Sequence, residues 1–273
     1  MTLATEDFRY VADFVQKKAA IVLETGKEYL VETRLAPVAR KAGIASVADL
    51  VKELRRQPAS PLHTSVIEAM TTNETHFFRD VHPWETLRKE ILPPLIEARA
   101  VTRQLTVWCA ASSSGQEPYT IAMILRDHFP QLAGWRIRIL ATDLSSEMIT
   151  RTKAGRYSQL EVNRGLPAPL LVRWFKKVGE DWEVSPELRK LVEATEMNLA
   201  TPWPPGPTAD LIFLRNVLIY FDVPTRKSIL ERAARRLAPD GALFLGATET
   251  TLNVTNAFVR MTGTQTSLYR PAA

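Results

Sequence analysis

Four short segments of the 273-residue chain carry residue types that could do chemistry. The first is Val107-Trp108-Cys109-Ala110-Ala111-Ser112-Ser113-Ser114-Gly115-Gln116-Glu117-Pro118. A β-prone run passes through a loop of small residues into a helix start. Small side chains let a ligand approach the backbone, and the amino end of the helix offers N–H groups and partial positive charge. With one glycine, the segment reads equally as a tight strand–helix turn. The second, Ile139-Leu140-Ala141-Thr142-Asp143-Leu144-Ser145, sets an acid at the end of another apolar run, 28 residues after Gly115. Its two carboxylate oxygens suit the two ribose hydroxyls of an adenosine. Capping of the next helix, for which Ser145 competes, is the other reading. The third, Asp210 to Phe221, places Arg215 and Asn216 where an apolar run ends. Open α/β sheets bind ligands at the carboxyl ends of their strands. A solvated strand end is the alternative, against which the apolar flanks weigh a desolvation cost. The fourth, Thr71-Thr72-Asn73-Glu74-Thr75-His76-Phe77-Phe78-Arg79, lies at a change of character along the chain and reads by itself as a linker with a helix cap.

The elements that must position these residues fall into two groups. Residues 6–55 carry helical spacing, with Phe8, Val11, Phe14, Val15 and Val22 toward one face. Arg34 to Lys41 is expected as a helix with Pro37 near its first turn and Gly43 as its stop, and Ser46 as the cap of Val47–Arg56. Residues 63–80 read as a further helix and a loop. Beyond Pro93-Pro94 the pattern alternates. Leu105–Cys109, Ile137–Ala141, Leu211–Leu214 and Ala242–Leu245 are strand-like, with helices from about Glu117 to His128 and from about Ser145. Strands alternating with helices predict a parallel sheet covered on both faces. Phe258–Met261 and Ser267–Arg270 read as a hairpin around Gly263. An insert at about 170–190, with a turn at Gly179-Glu180-Asp181 between Trp174 and Val184, reads as a small antiparallel appendage. The expected organisation is a helical domain over 1–80, a linker over 81–94 and an α/β domain over 95–273.

Composition excludes several classes. At 45% hydrophobic and 24% charged, the chain is an ordinary globular sequence rather than a disordered one. No apolar run reaches the roughly 20 residues of a membrane span. The first ten residues include Glu6 and Asp7 and no apolar core, so no secretory signal is expected. One cysteine, Cys109, excludes an internal disulfide and fits a cytoplasmic protein. The four histidines lack ligand spacing, so no metal is expected. The net charge of +5 is spread over residues 88–190 instead of forming a focused basic face, which disfavours nucleic acid. A nucleotide-dehydrogenase reading fails for lack of a three-glycine loop.

Taken together, the segments resemble the chemotaxis receptor methyltransferase (CheR) family over almost the whole chain. The most specific matches are Thr72-Asn73-Glu74-Thr75-His76-Phe77-Phe78-Arg79, Ser113-Ser114-Gly115-Gln116-Glu117-Pro118-Tyr119 and Arg215-Asn216-Val217-Leu218-Ile219-Tyr220-Phe221-Asp222. Ala110-Ala111-Ser112 departs from the glycine or cysteine that relatives often carry there. The resemblance implies a Rossmann-like class I sheet that binds S-adenosylmethionine (SAM), with an N-terminal all-helical domain and a small antiparallel β-subdomain. It implies transfer of a methyl group from SAM to glutamate side chains on chemoreceptor signalling helices, leaving a glutamate methyl ester and S-adenosylhomocysteine (SAH).

Carried over position by position, the resemblance makes Asn73, Thr75, Arg79, Glu117, Asp143, Asn198, Leu199, Arg215 and Asn216 cofactor-binding. Glu117 and Asp143 take the amino-acid end and the ribose or adenine side, and Asn198 and Leu199 stand beside the adenine. Arg79 and Tyr220 are the expected catalytic pair, positioning the acceptor rather than neutralising it. Arg34 and Arg40 match basic positions that face the receptor. The insert's turn is short, so tight binding of a receptor tail peptide is not expected. The rival readings are a SAM-binding receptor-interaction module without transfer and a methyltransferase acting on a non-receptor acceptor.

Overall fold

The computed structural model of the chain describes residues 3–57 and 60–272. It divides into two compact units, residues 1–72 with 220–225, and residues 73–219 with 226–273. The first unit is built on α1 (Thr5–Ala19), α2 (Glu28–Lys41), α3 (Val47–Arg56) and α4 (Pro61–Met70). Helix α1 buries Phe8, Val11, Val15 and Ala19, a stripe at helical spacing. The expected Ser46 cap forms, with its side chain accepting the Asp49 N–H. Helix α2 begins at Glu28, not at Arg34, so Pro37 sits in its interior. Burial of Val31, Leu35 and Ala39 on one face outweighs the hydrogen bond that the proline forgoes. Helix α4 ends at Met70, and the stretch to residue 80 that follows is loop and turn.

The second unit opens with a helical run where a linker was expected: α5 (Val81–Thr86), a π-helical turn over Leu87–Ile91, and α6 (Leu92–Ala98). Its apolar face, with Trp84, Leu87, Ile91 and Leu92, is buried in the core. The alternation then follows: β1 (Gln104–Ala110), α7 (Gln116–His128), β2 (Arg136–Asp143) and α8 (Ser146–Ala154). The appendage comprises β3 (Arg156–Tyr157), α9 (Gln159–Asn163), α10 (Ala168–Trp174), β4 (Phe175–Val178), β5 (Asp181–Val184) and α11 (Pro186–Arg189). Next come β6 (Val192–Glu196), β7 (Ala209–Leu214), α12 (Val223–Arg236), β8 (Leu237–Leu245), β9 (Phe258–Arg260) and β10 (Leu268–Pro271).

The main sheet has the order β6-β2-β1-β7-β8-β10-β9. Strands β6, β2, β1, β7 and β8 are mutually parallel, and the β9–β10 hairpin closes the edge antiparallel. Strand β7 is buried at all six positions, as a strand covered on both faces must be. On one face Trp84 stacks on Phe213 at 5.8 Å, and Phe213 stacks on its register partner Phe244 at 4.5 Å. The appendage is a sheet of order β3-β5-β4, its third strand supplied by residues ahead of the expected insert. Gly165, at φ +87°, lies so close to the Phe77 carbonyl that a Cβ would stand 2.1 Å from its oxygen, which only glycine allows.

Candidate functional site

The chain leaves β1 toward β2 and β6 on one side, then returns to β7 and β8 on the other. The switch point lies between β1 and β7, where an open parallel sheet leaves a crevice at its carboxyl edge. The loop after β1 is held there under strain. Ala111 and Ser113 have φ of 56° and 50°, and Gly115 has φ of 94°. A Cβ on Gly115 would come within 2.9 Å of Thr152. Non-glycine residues keep positive φ only where their surroundings over-determine them, and here they do. The Ser112 N–H donates to the Thr142 carbonyl, the Ser113 Oγ to the Asn73 carbonyl (2.7 Å), and the Tyr157 hydroxyl to the Ser114 carbonyl (2.8 Å).

Asp143 closes the same loop. One carboxylate oxygen accepts the Ser113 N–H at 2.8 Å and the other accepts the Ser145 N–H at 2.9 Å. Ser145 itself caps α8 by accepting from Met148. The two sequence readings of Asp143 and Ser145 are therefore divided between two side chains: the serine caps, and the aspartate ties the β1 loop to the end of β2.

Arg215 and Glu117 meet across the switch point. The Arg215 side chain is only 2% exposed. It donates to Glu117 Oε2 at 2.9 Å, to the Arg79 carbonyl at 2.9 Å and to Asp80 Oδ2 at 2.7 Å, and its guanidinium lies over the Trp84 ring. Arg215 thus acts as a strut behind the site. Glu117, 12% exposed, remains the carboxylate that faces outward from it. Burial raises the Glu117 carboxyl above its ordinary value of 4.5, and the Arg215 charge and hydrogen bond offset only part of that rise.

Glu249, which carried no sequence signal, holds the other half of the strand-end loop. Its carboxylate accepts four backbone N–H groups, from Asn216, Val217, Leu218 and Gly246, at 2.7–2.9 Å. This fixes Asn216 at φ 58° and leads the chain into the 3-10 turn Leu218–Tyr220.

The remaining expected residues are distributed as follows. Asn73 is joined to the β1 loop through its carbonyl, Thr75 is half-buried two residues later, and Arg79 donates to the Glu74 carbonyl at 2.9 Å. Asn198 follows β6 and turns the chain by accepting the Ala200 N–H. The Leu199 carbonyl accepts from Trp203 and Arg232. These residues, with Glu117, Asp143, Arg215 and Asn216, all belong to the second unit. Tyr220 belongs to the first unit, where its carbonyl accepts the Val22 N–H. Arg34 spends its guanidinium on the Met70 and Thr71 carbonyls and the Thr72 hydroxyl, whereas Arg40 is exposed. Sequence reasoning missed Asp80, Tyr157 and Glu249, and took Ser113 only as part of the small-residue loop. Asp80 was signalled only by being an acid beside Arg79.

Two buried polar atoms beside the crevice, Ser112 Oγ and Arg215 Nε, have no partner among the described residues. Buried polar atoms of this kind are usually satisfied by a ligand or by water. Together with Gly115 in the β1 loop and the Glu117 carboxylate, they fit a nucleoside that carries an amino-acid arm. Among the described residues there is no group of three metal-ligating side chains and no helix long and apolar enough to cross a membrane.

Comparison with known proteins agrees. Residues 6–71 match the family model described as the CheR methyltransferase all-alpha domain, and residues 73–267 match the CheR methyltransferase SAM binding domain. The chain is 39% identical to chemotaxis protein methyltransferase 1 of Pseudomonas aeruginosa, with 99% of each chain covered. It is 41% identical to the chemotaxis protein methyltransferase Cher2 of Pseudomonas putida, covering 91% of this chain and 92% of that one. A Vibrio parahaemolyticus chemotaxis protein methyltransferase is 36% identical over 94% of both. The helical unit, the class I methyltransferase sheet and these matches agree: the chain belongs to the CheR methyltransferase family.

Proposed function

We propose that this protein transfers the methyl group of SAM to glutamate carboxylates on the cytoplasmic signalling helices of a chemoreceptor, for sensory adaptation, and that it acts in the cytoplasm. The observation that carries the reading is the pairing of a SAM-binding family match over residues 73–267 with an outward Glu117 carboxylate braced by Arg215 at the switch point. SAM supplies an electrophilic methyl on a sulfonium, so the protein's work is positioning. Glu117 accepts the ammonium of the amino-acid arm. Asp143 accepts from the ribose, and Asn198 and Leu199 border the adenine. Asn73, Thr75 and Asn216 line the cofactor through the backbone they shape, and Arg215 keeps Glu117 charged. The acceptor glutamate is ionised at neutral pH, so no general base is required. We assign Arg79 and Tyr220 the task of orienting that carboxylate. Full neutralisation by Arg79 would stabilise the ground state more than the transition state. Arg40 is the better placed of the two basic candidates for meeting an acidic receptor helix, because Arg34 is already engaged within its own unit.

The test uses methyl-labelled SAM with receptor signalling fragments carrying Glu or Gln at the candidate sites. Label released as methanol by mild alkali, from the Glu form alone, is the expected result. Alkali-stable label would assign another acceptor, and SAM binding without label would assign a binding module.

Two further outcomes follow from the site. Asp143→Asn should weaken SAH binding by about 10- to 100-fold, since hydrogen bonds to a charged group contribute about 1.5–3 kcal/mol. Its amide also sets an N–H against a backbone N–H of Ser113 or Ser145. Calorimetry gives the answer, and unchanged affinity would remove Asp143 from the site. Glu117 makes binding pH-dependent. Because its folded-state pKa is raised, its contribution to stability is present at acid pH and is lost as pH rises through that value. Cofactor binding has the opposite sign, since the ammonium needs the carboxylate. SAH affinity should therefore fall on acidification before ordinary glutamates titrate, and Glu117→Gln should flatten that profile.

A further inference from the structure

At the amino edge of the parallel sheet, away from the site above, a pocket of about 330 Å³ opens beside the segment that enters β7. Its walls are Trp203, Gly206 and Thr208 from that segment, and Arg232, Arg235 and Arg236 from the end of α12. Strand β7 is six residues long, so its amino end lies about 20 Å from Arg215 at its carboxyl end.

Three guanidiniums share this small space, and among the described residues none of them pairs with a carboxylate. Arg232 donates to the carbonyls of Leu199 and Thr201, and Arg236 to the carbonyl of Pro204 at 2.6 Å. Carbonyl partners orient a guanidinium without cancelling its charge. Tryptophan rings hold two of them in place: Arg232 lies 4.5 Å from the Trp203 centroid, and Arg236 lies 5.6 Å from that of Trp108. Gly206 makes the space, since a Cβ there would stand 2.7 Å from Arg236 Nη1. The flanking prolines of Trp203-Pro204-Pro205-Gly206-Pro207 stiffen the wall. The helix carboxyl end absorbs part of the charge but cannot balance three cations.

We propose that this pocket is a phosphate site that takes a phosphorylated small molecule, with Arg235 and Arg236 gripping the phosphate and Arg232 setting the local potential. A guanidinium fork matches phosphate oxygens bidentately. The cavity exceeds a bare phosphate and lies at the lower end of small-ligand sites. Arg232 also donates to the Leu199 carbonyl, so one wall residue of the pocket is anchored to the segment proposed to border the adenine.

Inorganic pyrophosphate is titrated into the full chain by calorimetry and by thermal melting, at constant ionic strength. Saturable one-to-one binding, with a rise in Tm that sodium chloride does not reproduce, is expected. Arg235→Glu should weaken it at least tenfold while leaving SAH affinity unchanged, because Arg235 is exposed at the end of α12. Gly206→Ala should weaken it too, by displacing the Arg236 guanidinium. Adenosine monophosphate separates the sources: tighter binding than pyrophosphate indicates a nucleotide, and weaker binding indicates the free anion. No saturable binding, binding indifferent to Arg235→Glu, or a polyglutamate peptide that outcompetes pyrophosphate would overturn the proposal. The last result would assign the patch to an acidic polypeptide.

Discussion

Replacing Glu249 by alanine should destabilise the protein by about 3–5 kcal/mol, among the largest effects of any single substitution in it. One buried carboxylate accepts four backbone N–H groups from two loops. Hydrogen bonds to a charged group contribute about 1.5–3 kcal/mol each; they are not additive, and some of the freed amides would regain water. Glu249→Gln keeps one acceptor oxygen but turns an amide NH2 toward backbone donors, so it should lose about half as much. Gly246→Ala strikes the same clamp from the other side, because its Cβ would stand 2.7 Å from the Glu249 carboxylate and 2.9 Å from the Asn216 nitrogen. Urea unfolding measures all three. A loss under about 1 kcal/mol for the alanine variant would mean that the loop finds other acceptors.

The second large effect is expected from Arg215→Ala. The arginine is buried between Glu117 and Asp80 and fills the space over Trp84. Removing one partner of a buried ion pair costs about 3–5 kcal/mol, because the other charge is left uncompensated. Here Glu117 can escape by taking up a proton, since burial already raises its pKa. The variant should therefore divide its penalty. Stability should recover partly at acid pH, where a neutral Glu117 is tolerated, while SAH binding should be lost at every pH. Arg215→Lys tests the fork itself: it restores a charge but cannot reach Glu117, Asp80 and the Arg79 carbonyl together. If Arg215→Ala bound SAH normally, Glu117 would not depend on its strut.

These two residues show what the sequence made legible. Arg215 stood at the end of an unbroken apolar run, and fully buried parallel strands write themselves in just that way. Asp143 was legible for the same reason, as an acid at the end of β2, whereas Glu117, in the first turn of α7, was legible only through the family resemblance. Glu249 was not, because its partners are backbone amides, three of them 31–33 residues away, and amides carry no side-chain signature. Strand β6 was missed because it is an edge strand with mostly exposed side chains. The segment 81–94, expected as a linker, was misread through its prolines. The π-helical turn at Leu87–Ile91 brings Pro93 and Pro94 into the first turn of α6, where a missing N–H costs little. The two-residue strand β3 is too short for any alternation to show.

The first unit owns residues 220–225 as well as the amino-terminal helices, and the chain passes between the two units three times. A gene segment ending at residue 72 therefore does not encode that unit. The fragment would leave the Val22 N–H without the Tyr220 carbonyl that receives it. Recombination cannot trade the helical unit between relatives by a single crossover, and a helical unit grafted at that boundary would arrive without its last six residues. Inheritance is joint: because the two units are interleaved along the chain, a recombination event that is to keep the first unit whole must carry residues 73–219 of the second with it.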